Sequence, residues 1–194
     1  MNDGAAVADH ALVLHFVRHG ETPWNSERRI QGQEAGVPLS ENGRAQARAI
    51  AEELASASPS LIIASDLERT METARIIAGR LGLRIVPEQA LRERHFGIAQ
   101  GRLYAEVAEL VEGWWQSPDH RVDGGESNRE MHDRVARYLE DLIAQPPARE
   151  IIFVTHGGTM NMALAWLSGT PVDGYEWERF GNCDLRTVVV ERGV

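Results

Sequence analysis

The sequence predicts an α/β protein, a three-layer α/β/α sandwich around a mostly parallel mixed sheet with a small helical lid inserted. Three observations point there. Short apolar runs of strand length alternate with longer segments of helical period. The run Ile151–Thr155 is apolar until its last residue, as a strand covered on both faces requires. Residues 98–125 break the alternation with one amphipathic stretch (Val107, Leu110, Val111, Trp114) and a loop rich in Pro, Asp and Gly. They read as the lid.

Each element has its own justification. Residues 1–10 read as a loose tail, and Leu12–Val17 as a first buried strand, its apolar run interrupted by His15. Ser40 opens a helix to about Leu54, with Ala45, Ala49, Ile50 and Leu54 inward. Leu61–Ala64 is a second buried strand. Ser65 and Glu68 match a capping box before the stripe Leu67, Met71, Ala74, Ala78 and Leu81. Leu83–Val86 is a third strand. Ser127 and Glu130 repeat the capping box ahead of Met131, Val135, Leu139 and Leu142, and Pro146-Pro147 stops that helix. A helix from about Gly158 to Ser168 follows the late strand, closed by Gly169 and Pro171, and Leu185–Val190 is the final strand. The 194 residues suit one domain.

Composition narrows the function classes. With 43% apolar and 25% charged residues the chain is ordinary for a soluble globular protein. No apolar run reaches the ~20 residues of a membrane span. There is one cysteine, Cys183, so no intrachain disulfide can form, and a reducing, cytoplasmic setting is expected. A net charge of -9 argues against nucleic acid or an anionic membrane as partner. A small anionic substrate remains open, because local cations decide that. All 20 basic residues are arginine. The absence of lysine removes the P-loop, the lysine Schiff base and the lysine-dependent kinase site.

Two histidines occupy matching places. His19 in Arg18-His19-Gly20 follows the first strand, and His156 in Thr155-His156-Gly157-Gly158 follows the late one. Ligands of open α/β sheets bind at the carboxyl ends of strands. Either histidine alone reads equally well as a hydrogen-bonded strand-end residue; the pair, each followed by glycine, favours a site. Arg18 and Arg69 offer forked donors suited to phosphate oxygens, although Arg69 alone could pair with Glu68 or Glu72. Glu93, set among Arg92 and Arg94, is a candidate proton donor or a surface salt bridge. The sequence contains no Cys-x5-Arg, Asp-x-Asp, Gly-x-Ser-x-Gly, His-x-His or His-Glu-x-x-His, so other hydrolytic and metal chemistries lack their motifs.

The run Phe16-Val17-Arg18-His19-Gly20-Glu21-Thr22 with Asn25 resembles the signature of the histidine phosphatase superfamily, which includes the phosphoglycerate mutases. Pro38–Gly43, Ser65–Thr70 with Thr73-Ala74, Leu91–Gly97, Gly124–Ser127 and Val154–Gly158 extend the resemblance, in the family's order, over almost the whole chain. The resemblance implies that His19 attacks phosphorus and carries a phosphohistidine, with Arg18, Arg69 and His156 on the equatorial oxygens. It implies Asn25 and Gly157 at the pocket edge, Glu93 as proton donor and then base, and no metal or other cofactor. Arg94 is expected to touch a carboxylate or hydroxyl of the substrate.

The fate of the phosphoryl group is a separate question. Glu93-Arg94-His95-Phe96-Gly97 is similar to a run of the cofactor-dependent phosphoglycerate mutases. The lysine those enzymes carry is absent, and Trp114-Trp115-Gln116-Ser117 stands where they have Trp-Arg-Arg-Ser. The expectation is therefore a phosphomonoester hydrolase for a small phosphorylated metabolite. Its alternatives are a phosphoglycerate mutase and a noncatalytic phosphate-recognising module. Trp24, Tyr104, Trp114 and Trp115 would line the lid side of the pocket or pack the lid down. The apolar last strand could pair across a homodimer or sit at an internal edge.

Overall fold

The computed structural model describes residues 11–113 and 117–191. The expected tail and the lid tryptophans Trp114 and Trp115 lie outside the described residues. Five strands form one mixed sheet: β1 (Ala11–Arg18), β2 (Leu61–Ser65), β3 (Ile85–Glu88), β4 (Glu150–Thr155) and β5 (Leu185–Glu191), in the order β3-β2-β4-β1-β5. All neighbours are parallel except β1 and β5. The strand expected at Leu83–Val86 begins two residues later. The chain turns at Gly82 in a left-handed conformation (φ 71°), which closes the preceding helix and delays the strand.

Period-two alternation explains the layers. Leu12, Leu14, Phe16, Leu61, Ile63, Ile151 and Phe153 face α5 (Asn128–Ala144) and α6 (Gly157–Leu167). Val17, Ile62, Ala64, Ile152 and Val154 face α2 (Glu41–Leu54) and α3 (Glu68–Leu81). His15, the polar break in β1, is buried and bridges the neighbouring strands through Thr187 Oγ1 and Glu150 Oε1, both at 2.8 Å.

The capping pattern at Ser127 forms as expected, with Glu130 returning the bond. That at Ser65 does not. Ser65 is the last residue of β2, the N-cap position is Leu67 with no side-chain cap, and Thr70 Oγ1 instead donates to the Ser65 and Leu67 carbonyls. The Ser65 hydroxyl accepts only a long bond from the Leu67 N–H, at 3.5 Å, which leaves it open to a second partner.

A short helix absent from the sequence expectations, α1 (Pro23–Ser26), follows β1; Thr22 caps it and Asn25 completes the box. The inserted segment carries α4 (Ala108–Glu112) and turns of 3-10 helix, and packs Ala99, Val107 and Val122 onto Ile30. It is anchored on the loop after β1 rather than on the sheet. Two backbone crossings hold the loops over the strand ends. A Cβ on Gly43 would lie 2.0 Å from the Glu21 carbonyl oxygen, and one on Gly97 (φ 52°) 2.0 Å from that of Asp123. No helix among the described residues is long and apolar enough to cross a membrane.

Candidate active site

The register of β1 against β4 pairs Arg18 with Thr155, so His19 and His156 emerge side by side at the carboxyl ends of adjacent central strands. Their rings lie 5.3 Å apart, edge to face. The backbone of His19 is pinned on both sides: its N–H donates to Thr155, and its carbonyl accepts from Asn182 Nδ2 at 3.0 Å. Its Nδ1 lies 2.8 Å from the Gly20 carbonyl. A carbonyl only accepts, so Nδ1 carries the proton and Nε2 keeps the lone pair. Burial, then the Arg69 and Arg18 guanidiniums, hold this imidazole well below the usual histidine range, against the Gly20 bond. It is a neutral imidazole with an oriented lone pair on Nε2.

His156 is fixed in the opposite tautomer. Arg69 Nη2 lies 3.2 Å from its Nδ1, and an arginine only donates, so Nδ1 accepts and Nε2–H donates to Ser65 Oγ at 2.9 Å. Burial and then Arg69 keep this ring neutral too. Both nitrogens are thus engaged within the protein, and His156 acts here on Arg69. A direct contact with a phosphoryl oxygen, as the resemblance implies, would need Nδ1 to carry a proton.

Arg69 has neither of the acidic partners open to it in the sequence. It is 1% exposed, and Glu72 pairs with Arg44 instead, at 2.7 Å. Its Nη2 donates to the Gly32 carbonyl at 2.6 Å, and burial pulls its pKa down to about 10, against the pull of Glu93. Arg18 donates through Nη1 to the Phe180 carbonyl at 2.6 Å. The Nε atoms of both arginines are buried without a partner among the described residues. Such charged, unsatisfied donors are costly unless something binds them.

The remaining candidates surround this pair. Gly157 opens α6, and a Cβ there would sit 3.7 Å from Arg18 Nε, which places the positive end of the helix beside the guanidinium. Asn25 Oδ1 accepts from the Thr22 backbone and hydroxyl, leaving its amide NH2 without a partner among the described residues. Glu93 presents each carboxylate oxygen to a backbone N–H: Oε2 to Gly158 at 3.0 Å, Oε1 to Arg94 at 2.9 Å. Arg94 is buried over the Phe96 ring, donates to Asn128 Oδ1 at 2.5 Å, and is drawn down to about 10 by burial. With Glu93, Phe96, Asn128, Met131, Gly158 and Trp177 it lines a cavity of about 140 Å³.

Two residues escaped the sequence reading. Ser65 orients His156, and a strand-end serine next to a helix looks like a cap. Gln31 is buried with Oε1 unpartnered, one residue from the Gly32 carbonyl that holds Arg69; only its place in a glycine-flanked loop hinted at a role. Of the aromatic residues expected near the lid, Tyr104 points largely to solvent and Trp24 lies under Arg29 at 5.6 Å. Among the described residues no three His, Cys, Asp or Glu side chains gather into a metal site.

The two depressed histidines make stability depend on pH. The unfolded chain takes up these protons near pH 6.5 and the folded one does not, so stability is complete above that value and falls as pH drops below it. Between pH 6.5 and 5.5 the loss should be roughly 1 kcal/mol per histidine. Urea unfolding of wild type and His19→Gln across that window should show the variant losing one histidine's share; identical slopes would contradict the burial argument.

A family model described as the histidine phosphatase superfamily (branch 1) matches residues 14–194. A relative from Serratia proteamaculans named "Probable phosphoglycerate mutase GpmB" is 36% identical over 182 residues, covering 91% of this chain and 84% of its own. Among solved structures, one named Mycobacterial hydrolase 1 is 32% identical with a TM-score of 0.84, covering 92% of both chains. A mycobacterial glucosyl-3-phosphoglycerate phosphatase is 33% identical with a TM-score of 0.82, covering 92% of this chain and 90% of that one. With its strand-end histidine pair and the arginines beside it in the matched region, the chain belongs to the histidine phosphatase superfamily.

Proposed function

We propose that the protein is a metal-independent phosphomonoester hydrolase that passes the phosphoryl group of a small phosphorylated metabolite through His19 to water. The observation that carries this reading is the neutral His19, with Nε2 free, beside two guanidiniums whose buried Nε donors have no partner among the described residues. Nε2 attacks phosphorus, the ester P–O bond breaks toward the leaving oxygen, and that oxygen takes the proton of Glu93. The Glu93 carboxylate then removes a proton from water. The water oxygen bonds to phosphorus as the N–P bond breaks, which releases orthophosphate and restores the Nε2 lone pair. Arg18, Arg69 and the N-terminus of α6 supply the positive charge on the transferring group. Asn25 and Gly157 sit at its edge.

The names of the curated relatives favour a second reading, phosphoglycerate mutase. Against it stands the leaving-group side of the site. The cavity beside Glu93 is lined by one cation, Arg94, whereas a mutase must retain a doubly anionic glycerate while it turns over. The phosphatase names of several solved neighbours support hydrolysis.

A panel of phosphate esters, assayed with and without EDTA, tests the reading. Hydrolysis should survive the chelator and fall by ~10³-fold or more in His19→Ala, the scale lost when a nucleophile is removed. Abolition by EDTA, or full activity in His19→Ala, would overturn it. Efficient interconversion of 3-phosphoglycerate primed with 2,3-bisphosphoglycerate would transfer the assignment to the mutase.

The placement of Glu93 gives a second expectation. A Cβ on Gly158 would press on Glu93 Oε1, the far end of a flexible side chain that can shift by giving up its bonds to the Arg94 and Gly158 N–H groups. Gly158→Ala should therefore leave the melting temperature within a few degrees. It should lower kcat/KM by about 10–100-fold, part of what a positioned general acid supplies. Unchanged kcat/KM would remove Glu93 from the chemistry.

A further inference from the structure

We propose that Arg134 and Glu126 form a clamp that positions Glu93 for proton transfer, without either side chain touching substrate. The inference rests on the reading of Glu93 as proton donor. Residues 92–96 have no regular secondary structure, so their backbone groups must find partners elsewhere. Arg134, on α5, provides several at once. Its Nε and Nη2 donate to Glu126 Oε1 and Oε2 at 2.9 and 2.8 Å, and its Nη1 reaches the carbonyls of Ala90 and Arg92 at 2.6 and 3.1 Å. Glu126 continues the grip on the far side: its Oε2 accepts from the His95 N–H, and its own N–H donates to the His95 carbonyl at 2.7 Å. The pair thus holds the backbone on both flanks of Glu93.

The geometry favours positioning over plain stability. A partly buried ion pair adds little net stability, because desolvation offsets the attraction. What it adds here is direction, since a planar fork can bind two carboxylate oxygens and two carbonyls together and an ammonium cannot. Thr159 Oγ1 and the bidentate Arg92–Asp66 pair restrain the same segment from the opposite side, so the loop would persist but shift when the clamp is cut.

The decisive readout is leaving-group dependence. A proton donor matters for a poor leaving group and hardly at all for a good one, and kcat/KM reports the first transfer to His19 alone. In Arg134→Lys, kcat/KM for glycerol 2-phosphate should fall ~10-fold or more, part of the ~10²–10⁴ of general acid catalysis, while that for 2,4-dinitrophenyl phosphate changes less than about threefold. Glu126→Gln should show the same split, and Glu93→Gln a larger one. Equal losses on both esters, or no loss on either, would overturn the clamp. So would failure of both clamp variants to fold, which would assign the pair to stability. A wild type that cleaves neither ester, or a Glu93→Gln without the split, would instead overturn the reading of Glu93 itself.

Discussion

Folding this chain places two guanidiniums, those of Arg18 and Arg69, at the centre of the sheet's carboxyl edge with no carboxylate bonded to either. Most of the site follows from that constraint. The positive field, added to burial, keeps His19 and His156 neutral, so one can attack and the other can accept from Arg69. The Nε donors, partnerless among the described residues, favour binding of an anion. A net charge of -9 over the whole chain does not disturb this, because the cations are local and shielded from water.

Around that centre the protein spends its polar groups on orientation. Ser65 sets the tautomer of His156, Gly20 that of His19, and Asn25 caps α1 with its oxygen while keeping its amide free. Glu93 is the exception to rigid placement by regular structure. It sits on a loop; side chains from α5, α6 and the 31–34 loop converge on that loop's backbone, and Asp66, just before α3, holds its Arg92 side chain. The group that gives and then takes a proton in the proposed reaction is thereby held on an irregular segment without a strand or helix of its own.

Much of this was legible from residue order. The apolar runs located the three inner strands, and the two His-Gly steps after β1 and β4 pointed to the candidate site, because side-chain periodicity and strand ends are local properties. What was lost depended on contacts between distant segments. Ser65 was read as a helix cap because Ser-x-x-Glu is a local pattern, whereas its partner His156 lies 91 residues away. Gly43 and Gly97 stood only as members of longer motif runs, and the backbone crossings they serve are ones no single-sequence pattern reveals. The start of β3 shifted because Gly82 acts as a left-handed helix stop.

Covalent transfer of the phosphoryl group to one nitrogen is the step on which the proposed hydrolysis depends. Rapid acid-free quenching of the enzyme during turnover of a phosphate ester, followed by peptide mass spectrometry and phosphorus NMR, measures this directly. The predicted result is a single acid-labile, base-stable phosphoryl group on Nε2 of His19, formed at a rate no slower than turnover. Phosphate on Nδ1, on another residue, or on none while turnover proceeds would contradict the account.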